Sequence, residues 1–251
     1  MSTWQFQTQQ FLLPKSGHQL FECEDAIGIN ALTGRFAIAD GATEAFDAQS
    51  WALRLASDWV RVRQAVLTPH DFRAWVARQG KSLHDSWSGL RLSWYAEEKA
   101  RAGSFAAFVG VQLDLDVAPP GWRAIALGDA CLIHCRNSGI INALPISNHE
   151  SFNATPPLVP SCASMQEASL NSVVINSGAL EHRDVLLLLS DAAAAWYLML
   201  ADIDDGARSR FDAHLKAARD GELEQLFESE RLAGRIKNDD IAVIRIEIEL
   251  R

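Results

Sequence analysis

The most apolar runs of this chain each begin or end on a carboxylate, which restricts its possible folds more than any other feature. Phe36-Ala-Ile-Ala leads into Asp40-Gly41, and Asp184-Val-Leu-Leu-Leu-Leu-Ser ends on Asp191. Asp239-Asp240 opens the run Ile-Ala-Val-Ile-Arg-Ile-Glu-Ile, and Glu24-Asp25 precedes a shorter one through Ile27 and Ile29. Short apolar runs bounded by turn signals are the pattern of buried strands. An ionised carboxylate at the end of such a strand is costly unless a positive charge meets it. No Lys or Arg adjoins Asp40 or Asp191 in sequence, so the residues call for a divalent cation. Ligation by oxygen alone suits Mg²⁺ or Mn²⁺ better than zinc. That chemistry points to a metal-assisted hydrolase.

Composition narrows the function classes. The 251 residues carry 23 Lys and Arg against 32 Asp and Glu, a formal charge of −9. That balance argues against non-specific nucleic-acid binding, which needs clustered basic residues. Neither a run of 18 apolar residues nor a basic start with an apolar h-region is present, so we expect no transmembrane helix and no secretory signal. Cys23, Cys131, Cys135 and Cys162 form no CxxC pair and read as reduced thiols of a cytosolic protein. The Asn153-Ala-Thr155 sequon carries no meaning without a secretory route.

The periodicity changes several times along the chain. Residues 1–45 read as short strands, with a turn at Ala31-Leu-Thr-Gly34 between runs 26–30 and 35–40. Trp51, Leu55 and Trp59 then recur at helical spacing. Pro69-His70-Asp71 reads as a helix start with Asp71 as N-cap, and Leu83, Trp87, Leu90 and Trp94 mark a second amphipathic face. The tryptophans of this stretch, Trp51, Trp59, Trp75, Trp87 and Trp94, are expected to pack helices onto a sheet. Strands return at Phe105–Leu115, Trp122–Leu127, Ala130–Arg136 and Ile140–Ala143, with Asn137-Ser-Gly139 as a hairpin turn. Residues 145–170 read as a long irregular segment, which inside a domain has functional work or small structure of its own. A strand at 172–176, the run 185–190, helical sequence over 192–235 and a strand at 241–248 complete the order. This order fits an α+β layered sandwich with mostly antiparallel sheets inside and helices outside. No repeat or linker divides it, so one domain over residues 1–251 is expected.

Asp40-Gly41 alone reads as a turn, and Asp191 alone as a helix cap. The ordered set carries more: Cys23-Glu24-Asp25, Ala37-Ile-Ala-Asp40-Gly41, Gly103-Ser-Phe-Ala-Ala107, Leu127-Gly-Asp-Ala130, Leu188-Leu-Ser-Asp191 and Asp239-Asp-Ile-Ala-Val243. In that order, from about residue 15 to residue 249, the chain resembles the metal-dependent Ser/Thr protein phosphatases of type 2C, the PPM family. The resemblance implies a four-layer α-β-β-α sandwich with a two-metal Mn²⁺ or Mg²⁺ centre at one end of the sheets. It implies Asp40 bridging the ions with the Gly41 carbonyl as a further ligand. It also implies Asp191 and Asp239 on one side, with Glu24 or Asp25 holding ligand waters on the other. Two hard cations then lower the pKa of a shared water, orient it in line with phosphorus and offset phosphoryl charge. The implied substrate is phosphoserine or phosphothreonine in a protein modified by a Ser/Thr kinase. Consistent with a mechanism that needs no covalent intermediate, GxSxG, Cys-x₅-Arg, HExxH and GxxxxGK[ST] are all missing.

The chain departs from the family pattern at four places. Leu20 stands where relatives carry a phosphate-binding Arg, leaving His18, Lys15 or Arg35 as stand-ins. Ala42 replaces the His or Met after Asp-Gly, so a histidine general acid is missing there. Ala192 replaces a Gly, which matters only if its φ is positive. Asp240 replaces an Asn and adds charge beside Asp239. Asp129 and Asp116 are spare acids, Asp129 reading as part of a tight turn, and Glu44 reads as a solvated helix-start carboxylate. Phe152–Pro156 lies where relatives carry substrate-facing loops. Losses at Leu20, Ala42 and Ala192 raise a second reading, a pseudophosphatase that binds a phosphoprotein or regulates a kinase without turnover.

Overall fold

The computed structural model describes residues 3–62, 66, 68–152, 155–203 and 206–251, and two antiparallel sheets lie face to face at its centre. In chain order the elements are β1 (Trp4–Leu13), β2 (Asp25–Asn30), β3 (Arg35–Gly41), α1 (Ala48–Trp59), α2 (Pro69–Trp87), α3 (Trp94–Ala102) and β4 (Phe105–Asp114). β5 (Gly121–Leu127), β6 (Cys131–Arg136), β7 (Gly139–Leu144), β8 (Val159–Pro160), α4 (Ala163–Ser169), β9 (Val174–Ala179) and β10 (Val185–Leu189) follow. The last are α5 (Asp191–Ile203), α6 (Ala207–Lys216), α7 (Asp220–Leu232) and β11 (Ile241–Leu250). One sheet runs β1-β11-β10-β6-β7; the other runs β2-β3-β4-β5-β9, with β8 beside β4.

The continuous apolar runs are strands covered on both faces. Phe36 and Ile38 of β3 point between the sheets, while Ala37 and Ala39 meet the helical layer that includes α1 and α2. β10 repeats the arrangement on the other side, with Leu186 and Leu188 inside and Leu187 and Leu189 against the layer of α5, α6 and α7. Alternation therefore survives as a choice between two apolar environments instead of between core and water. The architecture is the four-layer α-β-β-α sandwich expected from the sequence.

Helix α1 is pressed close to its sheet. A Cβ at Gly28 would lie 2.2 Å from the Ala56 carbonyl oxygen, and one at Gly41 would lie 2.9 Å from that of Ala48. Small residues on both surfaces thus bring the helix down onto the strands that end at the site. Buried indoles are held at their polar ends: Trp51 Nε1 donates to the Val159 carbonyl at 2.9 Å and Trp75 Nε1 to Asp58 at 2.7 Å. Between the sheets, Trp122 Nε1 on β5 donates to His134 Nδ1 on β6 at 3.1 Å, while His134 Nε2 meets Asp184 at 2.9 Å. With Nδ1 accepting, Nε2 carries the proton, and burial keeps the imidazole pKa low despite the Asp184 carboxylate.

Several local expectations are corrected. The start of the chain forms one 10-residue strand, β1, paired with β11 along its whole length. Thr68, not Asp71, caps α2, accepting from the Asp71 N–H with Pro69 in the first turn. That helix ends at Trp87, where Ser88 is extended and Gly89 has φ +88°. Leu90 and Trp94 therefore leave its face, and Trp94 is 78% exposed instead of packed on a sheet. Segment 145–170 contains β8 and α4, and the strand expected at 172–176 is β9, starting at Val174. Among the described residues, no helix is long and apolar enough to cross a membrane. All four cysteines are free.

Candidate metal centre

Neighbouring ends of the two sheets gather carboxylates from separate elements. Asp25 opens β2 and is the direct cross-strand partner of Asp40 on β3. Asp191 opens α5 directly after β10, and Asp239 lies in the turn before β11. Backbone bonds fix these ends in register: the Gly41 N–H donates to the Glu24 carbonyl at 3.2 Å, and the Ser190 N–H to that of Ala242 at 3.0 Å. The expected Asp25, Asp40, Asp191 and Asp239 are thus brought together.

Their electrostatics are those of a crowded acidic site. Burial first, then Asp25 and Asp191, push the Asp40 carboxyl well above the usual range. Burial, followed by neighbouring acids including Asp191 and Asp240, does the same to Asp25, opposed by a hydrogen bond with Ser190. Asp191 is also raised, mainly by burial, with Lys237 opposing and Asp239 adding to the rise. Asp25 Oδ2 is buried and has no hydrogen-bond partner among the described residues.

Among the described residues, Lys237 reaches the cluster. Lys237 Nζ lies 2.5 Å from Asp239 Oδ2 and 3.6 Å from Asp191 Oδ2. Burial opposes its charge, yet Asp239 and Asp191 raise its pKa. Nothing in the spacing of Lys237 from Asp191 foretold this contact. Asp129, in the tight turn after β5, also feels this cluster: burial and then Asp191 push its carboxyl to about 7. Gly128 allows that turn, with φ +104° and room for no Cβ, which would lie 2.5 Å from that of Ala107.

The remaining expected residues divide in location. Glu24 accepts from Thr43 Oγ1 at 2.6 Å and lies 3.9 Å from Lys15 Nζ, on the flank of the cluster. Asp240 engages backbone, accepting from the Lys15 N–H at 2.8 Å and the Glu24 N–H at 2.7 Å. Its role is to tie the segments before β2 to β11. Lys15 stands near Glu24, whereas Arg35 begins β3 and is therefore at the end opposite Asp40, bonded to Val62 and Gln112. Arg35 is excluded as a stand-in for the missing arginine. Leu20 is 59% exposed, and Ala192 lies inside α5, where its change from Gly is mild. Glu44, 97% exposed, pairs only loosely with Lys99. Of the anticipated substrate loop, Asn153 and Ala154 lie outside the described residues.

This arrangement of paired sheets and flanking helices recurs among solved structures. PppA, a key regulatory component of T6SS in Pseudomonas aeruginosa, matches with a TM-score of 0.60 at 15% identity over 100% of both chains. The chain has the PPM phosphatase fold. The catalytic domain of the serine threonine protein phosphatase PstP, in complex with 2 manganese ions, matches at TM-score 0.56 and 12% identity, covering 99% of this chain and 100% of that one. The PPM Ser-Thr phosphatase MsPP from Mycobacterium smegmatis, in complex with cacodylate, gives TM-score 0.54 and 12% identity over 96% and 97% of the chains. No protein-family model and no curated protein matches the sequence.

Within the PPM fold, the donor set of this chain fits a hard divalent cation. Its ligands are oxygens, its carboxylates exceed the single ammonium beside them, and Asp25 Oδ2 is a buried acceptor without a donor. The side chains do not converge on a ready ion position: among the described residues, no three His, Cys, Asp or Glu are so arranged. Asp191 and Asp239 turn to Lys237, and Asp191 Oδ1 also accepts from the Ala192 N–H. Loading therefore requires Lys237 to swing away, a movement its 67% exposed side chain permits.

Proposed function

We propose that the chain hydrolyses phosphoserine and phosphothreonine in proteins, opposing a Ser/Thr kinase, as one phosphatase domain over residues 1–251. The observation that carries this reading is the crowding of Asp25, Asp40 and Asp191, each held above its usual pKa, on a PPM fold. Asp40, Asp191 and Asp239, with the Gly41 carbonyl, would hold two Mn²⁺ or Mg²⁺ ions, and Glu24 and Asp25 would orient ligand waters. When bound, the ions supply water activation at neutral pH and neutralise phosphoryl charge.

The residues of this chain then have defined tasks. Asp40 and Asp191, whose carboxyls burial raises, would be held ionised by a bound cation. Ser190 and Ala192 hold the Asp25 and Asp191 carboxylates in place through hydrogen bonds. Lys237, freed from Asp191 and Asp239, becomes a mobile ammonium at the rim, where it meets the phosphate that Leu20 cannot. The four free thiols agree with a cytoplasmic setting.

Lys237 also favours a second reading. An ammonium that already neutralises Asp191 and Asp239 serves a pseudophosphatase, which binds a phosphoprotein without turnover. Hydrolysis of a phosphothreonine peptide by chelator-treated protein, with Mn²⁺ titrated back, separates the two. Turnover that requires Mn²⁺ and is lost in Asp40→Ala supports the enzyme; Mn²⁺ binding without turnover supports the pseudoenzyme. Activity undiminished in Asp40→Ala refutes the metal assignment.

A further inference from the structure

Helix α5 leads away from the acidic centre along a half-exposed stripe. Asp191, Ala195 and Met199 are each half-buried, and Ile203 is 52% exposed, at successive i+4 positions. They occupy one helix face. Beside this stripe is a cavity of about 380 Å³ whose walls include Phe152, Ala195, Met199 and Ile236 and whose mouth carries Asp191 and Lys237. His149 also lines a second hollow, of about 520 Å³, that reaches Ile141 on β7. β7 is the outer strand of its sheet, with Ile141 51% exposed. A track, apolar beside Ala195 and Met199 and more polar past His149, thus runs from the carboxylates to the outer strand.

We propose that this track is the recognition site for an extended segment of a phosphoprotein, and that the cavity takes an apolar side chain two positions from the phosphorylated residue. The proposal rests on the phosphatase-fold reading for the position of the phosphate. Each four-residue step along α5 advances about 6 Å, and same-face side chains of an extended peptide repeat about every 6.6 Å. A phosphorylated side chain at Asp191 therefore places its same-face neighbour beside Ala195, on the side toward Met199. An apolar side chain there would pack against Phe152, Met199 and Ile236, whereas an acidic one would face Asp129 and Asp191 in the same lining, opposite Arg235 and Lys237. Continuity is the argument for this occupant: Asp191 and Lys237 belong to both the cavity and the acidic centre. As the outer strand of its sheet, β7 offers the far end of the segment a strand partner.

The experiment compares phosphothreonine peptides that carry Leu or Asp at positions −2 and +2, with p-nitrophenyl phosphate as an ester lacking flanking residues. The same peptides, labelled, are titrated by fluorescence anisotropy under conditions without turnover. The Leu peptide at one of the two positions should lead by at least about ten-fold in kcat/KM or affinity. Met199→Glu should erase the preference while p-nitrophenyl phosphate turnover stays within about two-fold. Ala195→Phe, which fills the cavity, should do the same if Met199→Glu fails to fold. Preferential binding without turnover of any ester keeps the recognition site and removes the phosphatase reading. Equal handling of Leu and Asp peptides in both assays, or a preference that survives Ala195→Phe, overturns the proposal.

Discussion

Replacing Asp129 by Asn should stabilise the metal-free protein, and the gain should depend on pH. Asp129 is 8% exposed, and burial followed by Asp191 moves its carboxyl from 3.8 to about 7. The folded state therefore holds a proton that the unfolded chain gives up more readily. Below about pH 4 both states are protonated and the group costs nothing; between there and about pH 7 stability falls, then levels off. At 1.36 kcal/mol per pH unit the interval from 3.8 to about 7 corresponds to about 4 kcal/mol. Rearrangement of the neighbouring acids and entry of water make that an upper bound. In a protein of this size each kcal/mol moves Tm by roughly 2–4 °C. Thermal unfolding in chelator should show Asp129→Asn gaining several degrees at pH 8 and almost nothing at pH 4. Saturating Mn²⁺ should shrink the gain at pH 8, because a bound cation answers the same charge. An equal gain at both pH values, or a loss at pH 8, would refute the electrostatic account.

Other perturbations probe separate contacts. Lys237→Met should tighten Mn²⁺ binding about five-fold by calorimetry, because about 1 kcal/mol of exposed ion pairing no longer has to be broken; unchanged affinity would mean that Lys237 does not compete. Gly28→Ala should cost about 1–3 kcal/mol in urea unfolding, since the Ala56 carbonyl leaves no room for a methyl group. A neutral result would show that α1 floats on its sheet. His134→Phe should cost about 2–3 kcal/mol by leaving Trp122 and buried Asp184 one partner short. Wild-type stability in that variant would deny the inter-sheet bridge its role.

Much of this architecture can be read from the sequence because the strands at its centre are buried on both sides. Runs such as Phe36–Ala39 and Leu186–Leu189 have no polar phase, and the acid that follows each marks where the sheet ends. The same property hides the pairing partners. β1 contains Gln5, Gln7, Gln9 and Gln10, and its length becomes visible only against β11. The amphipathic reading through Leu90 and Trp94 failed because Ser88-Gly89 ends the helix irrespective of the spacing beyond it. At the site, residue types located Asp25, Asp40, Asp191 and Asp239. The contact of Lys237 with Asp191 is made through the fold between separate segments, so adjacency in sequence gave the wrong count of nearby positive charge. Asp240 likewise looked like surplus charge, and only the two N–H groups directed at it reveal a tie.

The position of β11 has a consequence for biosynthesis. Among the described residues this strand follows every other one, yet it lies between β1 and β10 and is the only strand bonded to β1. An emerging polypeptide therefore carries β1, 10 residues long, as an unmatched edge until residues 241–250 have been made. Asp239 and the Asp240 tie arrive in the same late interval. Nascent chains halted before it should lack both the finished sheet and the acidic centre, so any hydrolytic capacity would wait until residues 239–250 have been made.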